Sequence, residues 1–322
     1  MAARTLLQII NAVQQELALP QSSTIIGNST DATATQLLGF AQLEIEELAK
    51  AKENGWTALT FQYNLAVNPP LDTTGVTALD SAVITGIPST ATLAANNFYV
   101  SGTNIPQGAR IVSVDSATQV TLDMLATGAG AIDDLQFAQD TYPEPDNFNF
   151  FISDTWWDRT NRWQLLGPSS PQEDQWHLSG IVATGPRRFF RQVGPYANNY
   201  RIWPPPAEIT EPLQLVFEYI SNAPIREAVG STTFLQYWTA DTNLPILDDR
   251  AIIMGIKWRF WEQKGLNWLS KRKEYDDYVS RLISRDGGNT KMSLVNRPPS
   301  IYVTPQNVQD GYYPGPSGPN MS

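Results

Sequence analysis

Residues 248–264 read Asp-Asp-Arg-Ala-Ile-Ile-Met-Gly-Ile-Lys-Trp-Arg-Phe-Trp-Glu-Gln-Lys. Their spacing predicts a helix from Asp248 to Lys264 that meets a second helix, Leu266 to Arg285, at Gly265. The first helix carries two apolar stripes. Ile252, Ile253, Ile256 and Phe260 lie on one side; Met254, Trp258 and Trp261 lie on another, with Arg259 and Glu262 between them. A surface helix needs one stripe, and a second implies burial on both sides. Within one chain this helix would lie between a helical bundle and a β layer. In an oligomer Met254, Trp258 and Trp261 would face a neighbouring copy. The last helix carries Leu269, Tyr275, Tyr278, Val279, Leu282 and Ile283 and leaves Lys271, Arg272 and Lys273 exposed. Those three cations join the three stripe residues as inter-subunit candidates.

Two more helices open the chain. Leu6, Ile9, Ile10, Val13 and Leu17 recur at helical spacing, and Pro20 closes the run. Asp31 or Thr33 can cap a second helix with the stripe Leu37, Leu38, Ala41, Ile45 and Leu48, ending before Gly55. Trp56 to Leu65 reads as a strand. From 68 to 139 the composition changes: this stretch has no Trp, Lys or Glu and is rich in Thr, Ala and Val. Short β-type runs separated by Gly and Asn turns mark a small all-β module inserted in a host domain. Further strands are expected at 188–193, 200–203 and 213–219, and a capping box at Ser170-Pro171-Gln172-Glu173 starts a short helix carrying His177. After Gly287-Gly288 a Pro-rich tail follows, with Ile301, Tyr302, Val303, Tyr312 and Tyr313 as its apolar anchors.

The expected fold is therefore α+β: an α-helical bundle of about four main helices from both ends of the chain, with antiparallel β elements. Residues 1–67 and 140–286 form the core, 68–139 the inserted β module, and 287–322 an extended C-terminal arm.

Composition excludes more than it selects. The chain has 322 residues, no cysteine and one histidine, which removes thiol catalysis, disulfides, cysteine zinc sites and multi-histidine metal sites within one chain. No apolar run approaches the roughly 20 residues of a membrane span, and the N-terminal segment reads as a helix without a secretion signal. An acidic, cysteine-free chain fits assembly in a reducing cytoplasm. The net charge of −10 argues against general nucleic-acid binding. Residues 1–186 hold 19 acidic and 6 basic side chains, whereas 250–285 hold 4 and 9. Such a split suits unlike surfaces that meet between copies. His177 has no nucleophile elbow or triad partner at a diagnostic spacing. No phosphate loop or calcium loop occurs. The acidic pairs Glu46-Glu47, Asp133-Asp134 and Asp248-Asp249 give only a weak glycosidase signal. Arg187, Arg188 and Arg191 beside Phe189 and Phe190 are read as strand-edge ion pairs.

The ordered landmarks resemble head-to-tail adaptors, or connectors, of short-tailed bacteriophages. They are the N-terminal helix, Ser-Thr-Asp-Ala-Thr at 29–33, Gly55-Trp56-Thr57-Ala58-Leu59, Tyr200-Arg201-Ile202-Trp203-Pro204-Pro205-Pro206, Phe217-Glu218-Tyr219-Ile220-Ser221, Asp241-Thr242-Asn243-Leu244-Pro245, Ile256-Lys257-Trp258-Arg259-Phe260 and Lys264-Gly265. The stretch from Val100 to Leu122 is similar to a β-module of phage virion proteins. The resemblance implies a structural virion protein with no cofactor, placed at the head-tail junction. It implies a ring, commonly of twelve copies, below the portal protein and above the tail nozzle, with tail fibre or spike proteins as further partners. The C-terminal arm would reach the portal, and DNA would pass through without specific binding. The competing reading is a carbohydrate-active or cell-wall-degrading phage tail protein, suggested by the aromatic and acidic content.

Overall fold

A computed structural model describes residues 4–28, 31–178, 188–194, 198–205 and 212–287. Helices α1 (Leu6–Glu16) and α2 (Ala32–Lys50) precede β1 (Thr60–Val67). The next segment holds β2 (Leu71–Thr77), β3 (Val83–Ile84), β4 (Phe98–Gly102), β5 (Ile111–Ser116), β6 (Gln119–Leu122) and β7 (Gly130–Gln139). The middle holds β8 (Thr141–Pro143), β9 (Phe148–Phe151), β10 (Trp157–Asp158), β11 (Trp163–Gln164), α3 (Pro171–Leu178), β12 (Phe189–Val193), β13 (Asn199–Trp203) and β14 (Leu213–Ser221). Short strands β15 (Ile225–Arg226), β16 (Phe234–Leu235) and β17 (Leu244–Pro245) lead to α4 (Asp249–Gln263) and α5 (Leu269–Arg285).

This corrects the expected fold class. The described residues form mostly antiparallel sheet with five helices, and not a helical bundle with a few β elements. The helices announce themselves by period and by caps. Thr5 and Gln8 form a capping box on α1, Asp31 accepts from the Thr33 and Ala34 amides, and Asp248 accepts from the Ala251 amide. Apart from β14, the strands of the middle segment are two to five residues long, too short to show an alternating pattern, and they assemble by long-range pairing. Their aromatic side chains build a core that no single segment predicts.

Three cores result. The stripes of α1, α2 and α4 pack together with Trp238, Leu247 and part of α5. The segment 71–139 has its own core between the sheets β2-β7-β4 and β3-β6-β5. The third core is aromatic. Trp156 is fully buried and stacks on Phe217 at 4.0 Å and on Phe190 at 4.3 Å, with Tyr200 edge-on at 4.8 Å.

Strand β14 joins the first and third cores. It pairs with β1 along its whole length, from Thr60↔Ile220 to Val67↔Leu213, and with β10 and β9 along its other edge. Leu213, Leu215, Phe217 and Tyr219 face the aromatic core, whereas Ile220, on the opposite face, belongs to the helical core. Gly55, at φ +74, lies against Ile220; an added Cβ would stand 2.5 Å from its Cγ1. Only glycine takes both that backbone conformation and that approach.

Buried charges tie the remaining parts together. Asp140 is fully buried and receives Arg110 of the 71–139 segment in a two-pronged pair; Arg201 reaches from Asp140 to Asp174 of α3, which also holds Arg191 at 2.5 Å. Burial raises the Asp140 carboxyl against the pull of both arginines. The Arg191 pair agrees with the strand-edge reading, Arg188 donates to the Pro204 carbonyl, and Arg187 lies outside the described residues. A second buried acid, Glu44 of α2, lies over Gly255 of α4, where any Cβ would overlap its carboxylate. Arg259 donates to it at 3.1 Å, and the Tyr275 hydroxyl faces it from α5. Burial pushes the Glu44 carboxyl up to about 7, outweighing Tyr275 and Arg259; Glu47, on the same helix, adds to the rise.

Two outcomes follow. Trp156→Ala is expected to cost roughly 3–5 kcal/mol, read by urea unfolding, because two stacked rings lose their partner. A carboxyl held higher in the folded state binds its proton more tightly there, so its ionisation removes stability as pH rises from its ordinary 4.5 to about 7. Glu44→Gln removes that dependence. The stability of the variant relative to wild type should therefore rise across that interval, by about 3 kcal/mol at most. A pH-independent difference would contradict the placement of Glu44.

Candidate interaction surfaces

The structure separates the sequence candidates into covered and uncovered groups. Met254 and Trp258 are 8% and 7% exposed within a single chain. The Trp258 ring lies 6.2 Å from Trp268 and 6.3 Å from Tyr275, so α5 covers the second stripe of α4. Trp261 is half-buried. Leu269, read as part of the packed face of α5, is 65% exposed. It is the first residue of α5, and its side chain stays mostly uncovered although its neighbour Trp268 lies near Trp258 of α4.

Exposed large apolar residues occur at many places on the chain, Val229 and Ile132 among them, and two of them, Leu266 and Leu269, lie at the α4–α5 corner. Gly265, at φ +67, turns the chain, and the Leu266 amide bonds the Trp261 carbonyl at 2.9 Å. Leu266 is half exposed, and Leu269 follows Trp268 in the chain. Sequence reasoning passed over Leu266, although its place next to a helix-ending glycine signals exposure. Cations lie on the rings of this corner. Arg272 sits 5.2 Å from Trp258 and 5.8 Å from Trp268, Lys271 sits 6.0 Å from Trp261, and Lys264 sits 5.3 Å from Phe260. Lys271 and Arg272 also approach Glu274 and Asp276 in exposed pairs that contribute little stability. Lys273 is exposed.

A second surface lies beside the end of α5. A cleft of about 280 Å³ is lined by Leu48, Trp56, Ile246, Leu247, Leu282 and Asp286, among others. Asp286 pairs with Lys52 at 2.7 Å and accepts from the Thr57 amide, which pins the end of α5. The arm residues Ile301, Tyr302, Val303, Tyr312 and Tyr313 lie outside the described residues.

His177, its neighbours on α3 and several members of the acidic pairs take part in structural contacts. His177 is buried, its ring 4.3 Å from Phe189. Ser170 and Glu173 cap α3, and Asp174 holds two arginines. Glu47 pairs with Arg259, Asp133 bonds Thr77 and Asn104, Asp248 caps α4, and Asp249 pairs with Arg4. Among the described residues there is no metal-binding cluster, and no helix is long and apolar enough to cross a membrane. No protein-family model and no curated protein matches the chain.

The division into covered and uncovered residues has a direct readout. Trp258→Ala should destabilise the isolated chain by roughly 3–5 kcal/mol. Leu269→Ala should stay within about 0.5 kcal/mol of wild type, since it removes no buried contact. Equal losses at the two positions would show that α5 does not cover the stripe.

Proposed function

We propose that the protein is a structural head-to-tail adaptor of a short-tailed bacteriophage. Its copies associate in a ring between the portal and the tail nozzle. The observation that carries the reading is the α4–α5 corner. Leu266 and Leu269 stay exposed beside ring-stacked cations, at the end of a helix pair whose other apolar residues are covered. Tryptophan and arginine dominate the energetics of protein interfaces, and exposed leucines beside them extend the apolar contact. The ordered landmarks that resemble adaptors give this surface its context.

In this reading the corner of one copy meets an acidic surface of the next. Such a contact is heterologous, and repeated by rotation it closes into a ring. Unlike charge speeds the encounter and fixes the register. The remaining acidic excess suits the lining of a conduit. Like charge repels the duplex over a Debye length, about 8–10 Å, whereas several phosphate contacts per copy would hold it. The arm, through Ile301, Tyr302 and Val303, binds the portal, and tail proteins dock below.

The test mixes the full chain with the portal ring from the same particle and measures the mass and symmetry of the product. A rotationally symmetric complex is expected, with a Leu269→Asp, Arg272→Glu double variant remaining as single copies. A wild-type chain that stays a single copy beside the portal, or a variant that assembles as well as wild type, would overturn the proposal. Truncation after Gly288 should preserve the fold and abolish attachment to the portal.

A further inference from the structure

The face of β14 turned away from the aromatic core, which sends Ile220 into the helical core, carries a further feature at Val216 and Glu218. Val216 and Glu218 of β14, Gln62 of β1 and Trp157 of β10 share this face, because Gln62 pairs with Glu218 and Trp157 with Val216. Together with Asp154, Thr155 and Arg159 they line a cleft of about 240 Å³. Trp157 is 37% exposed, in a fold that buries Trp156, its neighbour, completely.

The polar groups are preorganised. Arg159 donates to Gln62 Oε1 at 2.9 Å, and Gln62 Nε2 in turn donates to Asn64 at 2.8 Å, so the guanidinium is anchored with other N–H groups to spare. Thr155 accepts from the Glu218 amide at 3.1 Å and donates to the Ile152 carbonyl at 2.6 Å, which fixes the strand beside it. The carboxylates of Asp154 and Glu218 have no hydrogen bond or ion pair to any described residue. Asp154 is held at φ +63, in the left-handed region that a non-glycine residue seldom adopts. The cleft therefore offers free acceptors, a free donor and a flat indole side by side.

This set discriminates among ligands. An anion would meet two uncompensated carboxylates, and a cation would meet the Arg159 guanidinium. A neutral polyhydroxylated ring uses both: its hydroxyls donate to Asp154 and Glu218 and accept from Arg159, while its C–H face lies on Trp157. We propose that this cleft is a binding site for a neutral saccharide, held one sugar unit at a time. Its volume is below the roughly 300–1,000 Å³ of pockets that enclose drug-sized ligands, which suits one unit of a longer glycan with its neighbours in solvent. A contact of that size gives an affinity on the order of millimolar, raised by multivalency when several copies engage one glycan. The inference is independent of the ring.

The test probes an array of neutral and acidic glycans with the full chain and with the Trp157→Ala and Glu218→Gln variants. Retention of neutral glycans is expected. It should fall about tenfold or more with Trp157→Ala and weaken with Glu218→Gln, which keeps the side-chain shape. Thermal unfolding should be unchanged in Glu218→Gln, which separates loss of the site from loss of the fold. Failure of wild type to retain any neutral glycan would overturn the proposal. So would retention by both variants equal to that of wild type, or a preference for acidic glycans. Were Trp157→Ala to impair docking of a tail protein while no glycan was retained, the cleft would be a protein contact and the saccharide assignment wrong.

Discussion

The pairing of β14 with β1 is the constraint on which the structure depends. One face of β14 supplies Leu213, Leu215, Phe217 and Tyr219 to the aromatic core, and the other sends Ile220 into the helical core. The eight-residue register with β1 fixes both at once, since a slip by one residue would exchange the two faces. Gly55 then sets how closely the end of the helical layer approaches Ile220. The helices cannot shift on the sheet without disturbing the stack of Trp156 on Phe217.

Buried polar groups give this packing its specificity. Asp140 sits where the 71–139 segment, β13 and, through Arg201, α3 converge, and removing any one partner leaves charge buried without compensation. Glu44 plays the same part among α2, α4 and α5. It reaches the α4 backbone only because residue 255 is glycine, and it takes Arg259 and Tyr275 as its neighbours. Such groups cost desolvation energy, so arrangements that fail to pair them are disfavoured. The result is a rigid body on which large apolar groups remain exposed at several separate places. The α4–α5 corner and the Trp157 cleft are two of them.

How much of this was legible in the sequence depends on the range of the interactions. The four long helices were readable because their stripes and caps repeat within a few residues, and Asp31 does cap α2. The double stripe of α4 correctly implied burial on two sides, but sequence cannot say whether the second cover belongs to the same chain; Trp268 and Tyr275 supply it. The balance of the fold was misjudged because β8 to β11 are short and find their partners far along the chain. Leu269 carried helical spacing yet stays largely exposed at the first position of α5. The cleft was invisible, since Gln62, Trp157 and Glu218 meet only through strand pairing.

The functional readings rest on this rigidity, because a ring contact or a saccharide site needs side chains held in place from behind. Native-state amide exchange followed residue by residue tests that foundation most directly. The amides of Leu215, Phe217 and Tyr219 should exchange only through global unfolding, with the same free energy as those of Ile252 to Ile256 in α4. Exchange of the β14 amides through a lower-energy opening that leaves α4 protected would contradict it, showing that the helical and aromatic cores come apart and that β14 does not bind them into one body.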